Sequence, residues 1–376
     1  MPRKPAPTML ECGHFATGER DGKPWCSMCA DKAAAEACAQ LEKDVVARAS
    51  AMPDPTVAPA TPPASGAGAT GVIEPMVPGV YQMDDTRYHA DPLRLHGTES
   101  LSATRSKLLL PPSTPAHYRW AVDHPQGHSP AFDMGHAVHR LVLGSGPDIE
   151  VVQVEVADRA RKSIKIADSW EYKAAQQARE NAYTAGLVPL LPAEYAQAQN
   201  MAHAVLAHPL GKLCFTNGQP EQAMFVQDAE TGAWLRGKVD YLAQARDGRL
   251  VLVDLKTAGG DNAASPFKFP RAVVAYRYHR QAAWYSHLAK TLGLARDVTL
   301  VFAVVEKTPP YLVAFHEIDA SDLRRAHALN RAAIDTFARC LAANHWPGYP
   351  ATINRLALPS WAAYEEEAVL EGLPDE

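Results

Sequence analysis

The sequence contains no apolar run that approaches the length of a membrane-spanning helix. Its first residues also lack the apolar stretch that defines a secretory signal peptide. These absences argue against an integral membrane protein and against export through the secretory route. We therefore expect the protein to work in a reducing cytoplasm, without a membrane partner.

Cysteine is scarce, with six residues in a chain of 376. Cys214 and Cys340 stand far from any other cysteine, and Cys38 lies in a stretch typical of a helix. A small fold stabilised by disulfides needs a dense and even set of cysteines. The cysteine content therefore argues against a disulfide framework.

An excess of positive charge is also missing. Lysine and arginine total 37 against 42 acidic residues, which gives a net charge of −5. A chain with this balance has no global attraction to nucleic acid, so DNA binding would require a local basic groove. The hydrophobic fraction of 47% is ordinary, and 376 residues suffice for one large domain or two ordinary ones.

The N-terminal segment carries a candidate zinc site. Four soft ligands lie close together, and the last two form a C-x2-C pair: Cys12, His14, Cys26 and Cys29. Structural zinc binds such sets, although the C-x-H spacing is less usual and the residues also fit a disordered tail. We expect a zinc-binding segment and a helix in residues 1–49, an Ala/Pro-rich flexible linker in 50–79 and one further domain in 80–376.

A short apolar strand, Leu250 to Val253, is the centre of that domain. The run is typical of a strand buried on both faces, yet the charged residues Asp254 and Lys256 follow it. Side chains alternate along a strand, so these two charges point to the same side. A preceding strand ends near Asp240, and a turn at residues 247–248 predicts a hairpin that brings this second acid beside them.

The remaining pattern predicts an α/β domain. Predicted strands cover 221–228, 234–245, 250–256, 298–306 and 311–318, and predicted helices cover 102–110, 115–121, 131–143, 169–186, 193–207, 270–292 and 321–344. The long 270–292 helix would place Arg277, Gln281 and Tyr285 in one stripe, each four residues apart. Helices before, between and after a run of strands imply a mixed central sheet with helices on both faces.

The order and spacing of the polar residues resemble a known family. The motifs are Gly135-x3-His139, Glu221, Gly237-x2-Asp240, Asp254-x-Lys256 and Gln281-x3-Tyr285, and together they resemble the PD-(D/E)xK nucleases of the RecB-like branch. Further segments resemble, more narrowly, the phage and bacterial exodeoxyribonuclease VIII (RecE-type) family: Tyr88-His-Ala-Asp91, Leu101-Ser102, Pro115-Ala-His-Tyr118, and the tail segments Trp346-Pro-Gly-Tyr-Pro350 and Leu358-Pro-Ser-Trp361. The resemblance covers about residues 81–361 and implies a restriction-endonuclease-like core.

The resemblance implies a site for a divalent metal. Asp240 and Asp254 would be the main anchors of Mg²⁺ or Mn²⁺, and the backbone carbonyl of Leu255 would assist them. Two carboxylates suffice because Mg²⁺ prefers oxygen ligands and keeps several waters. His139 would be a further ligand, since imidazole also suits Mn²⁺. Without the resemblance, a lone histidine would more often be an ordinary core residue.

The resemblance also implies catalytic roles. Lys256 would hold the attacking water or stabilise charge on the phosphate, and Gln281 and Tyr285 would position water or the DNA backbone. Glu221 would steer a metal-bound water, or merely begin a strand. Without the resemblance, Lys256 could belong to a structural ion pair, and Gln281 and Tyr285 to an ordinary polar stripe.

Two positions depart from the superfamily pattern. The acid before the lysine is Asp254 rather than glutamate, and Val239 stands where the family name has proline. The RecB-like branch tolerates both changes, so we still expect activity.

The family likeness implies a metal-dependent exonuclease that resects linear duplex DNA from its ends, 5′ to 3′, in a bacterium or a phage-infected host. It would form a ring-shaped homo-oligomer, such as a tetramer, and supply single strands to an annealing protein of recombination. A non-catalytic DNA-binding or assembly protein and an endonuclease are the alternatives. A nuclease with an iron–sulfur clasp is disfavoured, because only Cys214 and Cys340 lie in the core.

Overall fold

The computed structural model describes residues 18–20, 23–25, 77–83, 85–89, 93–125, 129–158, 163–244 and 248–372. The chain divides into two units, Met1–Gly71 and Val72–Glu376. In the first unit the described backbone is an antiparallel pair, β1 (Gly18–Arg20) and β2 (Lys23–Trp25). The candidate zinc ligands and most of the predicted linker lie outside the described residues: Cys12, His14, Cys26, Cys29 and 50–76.

The elements of the second unit follow in three groups. The first comprises β3 (Gly79–Gln82), α1 (Asp85–Tyr88), β4 (Arg94–Leu95), β5 (Thr98–Ser102), α2 (Ala103–Ser106), α3 (Pro115–Asp123) and α4 (Asp133–Leu143). The second comprises β6 (Ile149–Val151), β7 (Glu155–Asp158), β8 (Ser163–Ile166), α5 (Lys173–Thr184), β9 (Val188–Leu190), α6 (Pro192–Ala207) and α7 (Pro209–Cys214). The third comprises β10 (Gly218–Gln227), β11 (Trp234–Gln244), β12 (Leu250–Ala258), α8 (Phe269–Tyr276), α9 (Tyr278–Thr291), β13 (Val298–Glu306), β14 (Val313–Glu317), α10 (Ala320–Ala343) and α11 (Ser360–Glu371).

One mixed sheet organises this unit. Its strand order is β14–β13–β12–β11–β10–β3, with β5 added beside β11 and β4 beside β5. The β12–β13 and β5–β11 pairs are parallel, and the other neighbours are antiparallel. The pairs β6–β9 and β7–β8 lie outside the main sheet. The predicted mixed central sheet is therefore confirmed.

One edge of β11 is shared by two strands. At its start Trp234–Arg236 pairs with β5, and at its end Tyr241–Gln244 pairs with Leu250–Val253 of β12. The second pairing confirms the predicted antiparallel hairpin. Residues 237–240 pair with neither strand along this edge, so Asp240 lies where the sheet opens.

Helices cover both faces of the sheet, as predicted. On one face, Trp284 and Leu288 of α9 pack in the same core cluster as Leu252. On the other face, Val138 of α4 packs in a second cluster that contains Val253. Consecutive residues of β12 thus enter opposite cores, as the uninterrupted apolar run requires. Within the described ranges, no helix has the length and apolarity needed to cross a bilayer.

The region predicted as one helix over 270–292 consists of two helices, so that prediction was wrong. α8 ends at Tyr276, α9 begins at Tyr278, and Arg277 between them has a φ of 58°. Residues other than glycine rarely adopt this left-handed conformation, and neither glycine nor proline marks the break in the sequence. Packing of the Tyr278 ring against Phe302, with centroids 5.6 Å apart, helps to hold the two helices in this arrangement.

Gly237 allows α9 to pack closely on β11. A Cβ atom at this position would lie 2.7 Å from Leu288 Cδ1 and 2.8 Å from Tyr285 Cδ1. Overpacking of this kind costs about 1–3 kcal/mol. We therefore predict that Gly237→Ala lowers the Tm by several degrees, measured by scanning calorimetry. Gly259→Ala is the control, because its Cβ would meet nothing within 4 Å. Equal Tm values for the two variants would contradict the prediction.

Candidate functional site

A cleft of about 720 Å³ opens beside the unpaired edge of β11. Its lining contains seven side chains that the sequence analysis singled out: His139, Glu221, Asp240, Asp254, Lys256, Gln281 and Tyr285. They come from five elements that are distant in sequence, namely α4, β10, β11, β12 and α9. The fold therefore brings the proposed catalytic side chains into one cavity.

Three of these side chains form a candidate metal centre. His139, Glu221 and Asp240 each offer one ligand atom, and these atoms lie within 4.8 Å of one another. Asp240 Oδ2 lies 3.7 Å from His139 Nδ1. One imidazole nitrogen and two carboxylate oxygens suit a divalent cation such as Mg²⁺ or Mn²⁺.

The backbone of Leu255 orients two of these ligands. Its N–H donates to Asp240 Oδ2 at 2.7 Å, and its carbonyl accepts from His139 Nε2 at 2.8 Å. Because a carbonyl can only accept, Nε2 carries the proton and the lone pair of His139 Nδ1 is left for a metal. Leu255 thus acts on the site by positioning ligands, and its role as a direct ligand stays a prediction.

Asp254 and Lys256 form an ion pair at the open end of β12. Asp254 Oδ2 lies 2.5 Å from Lys256 Nζ, and Gln281 Nε2 donates to Asp254 Oδ1 at 2.8 Å and to the Tyr285 hydroxyl at 3.3 Å. The Lys256 ammonium also lies 4.9 Å from the centre of the Tyr278 ring. Each oxygen of Asp254 therefore contacts one of these side chains, and its role as a metal anchor stays a prediction.

Burial and mutual repulsion perturb the ionisable groups. Burial, followed by the charge of Asp254, raises the pKa of Asp240 to about 8. Burial and the neighbouring Asp240 also raise the pKa of Glu221, whereas burial and the charge of Lys256 lower the pKa of His139. The raised pKa values of the two acids indicate that the neighbouring positive charge does not offset their burial and mutual repulsion. A divalent cation would add positive charge there, so the electrostatics and the donor set both fit a metal.

Two charged residues that contact Glu221 or each other beside the metal centre were not predicted from the sequence. Lys238 Nζ lies 2.7 Å from Glu221 Oε2 and also contacts the carboxylate of Asp85 from α1. Lys238 precedes Asp240 by two residues on β11, so strand alternation was a signal that could have placed it here. Asp85 carried no such signal. Glu221 itself has a φ of 54°, a strained conformation that clusters at functional sites.

The mixed sheet, the acids at its opening and the Asp254-x-Lys256 strand together define a nuclease-like fold of the PD-(D/E)xK class. Within that class, the chain belongs to the family described as PDDEXK-like domain of unknown function (DUF3799), whose model matches residues 113–358. The superfamily predicted from the motifs is therefore confirmed. The narrower exodeoxyribonuclease VIII assignment stays a prediction.

Two of the solved structures that are similar to the chain illustrate the level of likeness. One is a "putative exonuclease" from Eubacterium rectale, with 13% identity and a TM-score of 0.47 over 75% of this chain and 98% of that chain. The other, SSO0001, has 15% identity and a TM-score of 0.23 over 43% of this chain and 69% of that chain. Likeness at this level says nothing about function. No curated protein matches the chain.

Proposed function

We propose that the protein is a divalent-metal-dependent exonuclease that hydrolyses phosphodiester bonds from the ends of linear duplex DNA. The convergence of His139, Glu221 and Asp240 beside the Asp254–Lys256 pair carries the proposal. Phosphodiester hydrolysis requires charge neutralisation and an activated water, which such a cluster with its metal can provide. Attack from DNA ends and the 5′ to 3′ direction rest on the family resemblance.

One group of side chains in the cleft would bind the metal. His139, Glu221 and Asp240, with Asp254 and the carbonyl of Leu255, would hold Mg²⁺ or Mn²⁺, which supplies Lewis-acid activation of the phosphate and of water.

Lys256 is the cationic member of the site. Burial alone would lower the pKa of Lys256, but the charges of Asp254 and Asp240 outweigh burial and raise it. Lys256 therefore stays protonated and can hold the attacking water or stabilise negative charge on the phosphate. Gln281 bonds to Asp254, which in turn contacts Lys256, so it would position the lysine indirectly.

The topology of the DNA tests the proposal. With Mg²⁺, we expect end-labelled linear duplex to be digested, while covalently closed circles of the same sequence survive. The same circles, linearised by one cut, are the matched control because only the presence of ends differs. Labels at the 5′ and 3′ ends report the direction in the same assay. Rapid cutting of closed circles would move the assignment to an endonuclease.

Further parts of the proposal concern assembly and the N-terminal segment. By family resemblance, we propose a homo-oligomeric ring, such as a tetramer, that acts on duplex ends and supplies single strands to an annealing protein of recombination.

We also propose that the N-terminal segment binds one structural zinc through four ligands: Cys12, His14, Cys26 and Cys29. Four protein ligands would close the coordination shell, so this zinc would not take part in hydrolysis.

A further inference from the structure

Trp120 of α3 has a setting that the proposed chemistry does not explain. Its side chain is 65% exposed, whereas Tyr118 and Val122 of the same helix are buried in the main core. Trp120 is two residues from each, so it lies on another side of the helix and cannot reach that core. An exposed tryptophan alone needs no explanation. The side chains that surround Trp120, however, indicate a function for it.

A histidine one turn later supports the Trp120 ring. His124 stacks on it with ring centroids 3.6 Å apart and an angle of 19° between the planes. The Nδ1 atom of His124 lies 3.0 Å from the carbonyl oxygen of Trp120 and therefore donates to it, which fixes the imidazole. The indole is thus backed by a second ring while most of its surface stays open to solvent.

The stacked pair lies on the wall of the catalytic cleft. Trp120 and His124 line the same cavity as Asp240 and Lys256, and Arg105 lines it as well. The cleft therefore combines a candidate metal centre, cationic side chains that suit a phosphate backbone and an oriented aromatic surface. Proteins that hold single-stranded nucleic acid combine cationic and aromatic side chains in this way, because every base has a face that can stack on an aromatic ring.

We propose that Trp120, backed by His124, is the stacking platform for an unpaired nucleobase of the DNA strand in the cleft. The proposal rests on the proposed function and deepens it by naming the ligand of this wall. A nucleotide that enters a metal centre from a duplex loses its neighbour in the stack, and the indole would replace that neighbour. Because stacking does not read hydrogen-bonding groups, the platform would accept all four bases.

The first test compares two linear duplexes that differ only in their terminal nucleotides, which are either natural or abasic. Trp120→Ala should lower kcat/KM on the natural substrate by about 5- to 150-fold, the range for loss of one stacked base. It should leave kcat/KM on the abasic substrate unchanged, and Trp120→Phe should recover part of the loss. Trp361→Ala is the matched control, because this residue of α11 is 64% exposed and does not line the cleft.

Several outcomes would overturn the platform. Equal losses on natural and abasic DNA would mean that Trp120 contacts the backbone or supports the fold. No loss on either substrate, or the same selective loss in Trp361→Ala, would also count against it.

A binding measurement separates this proposal from the nuclease proposal. A single-stranded oligonucleotide that carries 2-aminopurine is titrated with protein in Ca²⁺, and stacking on an indole is expected to quench its fluorescence. We expect quenching by the wild type and none by Trp120→Ala. Quenching in Ca²⁺ by a wild type that cuts no DNA in Mg²⁺ or Mn²⁺ would refute the nuclease and support the platform. Cleavage by a wild type that gives no quenching would refute the platform alone.

Discussion

Lys256→Ala will leave a folded protein that binds DNA but does not cut it. We expect kcat on linear duplex to fall by about 10³-fold or more, because residues that act as one catalytic unit are individually indispensable. Lys256 is the cation 2.5 Å from Asp254 in the cleft, and its raised pKa keeps it charged at neutral pH. Asp254→Ala should cause a loss of the same order. The measurement is single-turnover digestion of end-labelled DNA with Mg²⁺.

For the Lys256 and Asp254 variants, loss of folding must be distinguished from loss of catalytic activity. Removing one partner of a buried ion pair costs about 3–5 kcal/mol, whereas removing both is often neutral. The double variant Asp254→Asn/Lys256→Met should therefore fold with a Tm near that of the wild type and still be inactive. Lys290→Ala, at an exposed position of α9, should keep full activity. Near-normal turnover in folded Lys256→Ala would contradict the catalytic role given to Lys256.

Asp240→Asn is expected to abolish metal-dependent cleavage and, at the same time, to stabilise the metal-free protein. An aspartate has an ordinary pKa of 3.8, whereas burial and then Asp254 raise the pKa of Asp240 to about 8 in the folded protein. Between these values the folded state binds the extra proton, so this residue makes the free energy of unfolding fall as pH rises. Asparagine has no proton to lose, and its side-chain oxygen can still accept the N–H of Leu255.

Calorimetry across pH tests this expectation. In chelator, the Tm advantage of Asp240→Asn should grow between about pH 5 and about pH 8, at roughly 2–4 °C per kcal/mol. Saturating Mg²⁺ should narrow this advantage, because a ligand at 100 times its Kd adds about 2.7 kcal/mol to the stability of the wild type only. Asp322→Asn, at an exposed carboxylate of α10, should change neither the Tm in chelator nor the Tm in saturating Mg²⁺. Equal Tm values at every pH, or stabilisation of Asp240→Asn by Mg²⁺, would contradict the role given to Asp240.

Local sequence pattern was enough to predict β10 to β14, most of the longer helices and the mixed sheet, whereas β3 to β9 were not predicted. The apolar run Leu250–Val253 followed by Asp254 and Lys256 predicted a buried strand with two charges on one side. The turn after β11 predicted the hairpin that carries Asp240. These features were predictable because alternation along a strand and the geometry of a short turn depend on consecutive residues.

Tertiary structure alone decided other features. The helix breaks at Arg277, where Tyr278 packs on the distant Phe302 and the local sequence shows no breaker. Asp85 reaches the site through Lys238.

The tertiary structure also determines which side chains group together in the candidate metal centre. The motifs gave Asp240 and Asp254 as the main anchors and His139 as a further ligand, whereas the structure groups the Asp240 carboxylate with Glu221 as well as with His139. Residues distant in sequence meet only when strands pair and helices pack, and their distances then depend on backbone strain and side-chain partners that no local window contains. For this reason the kind of site could be predicted from the sequence, whereas its geometry required the fold.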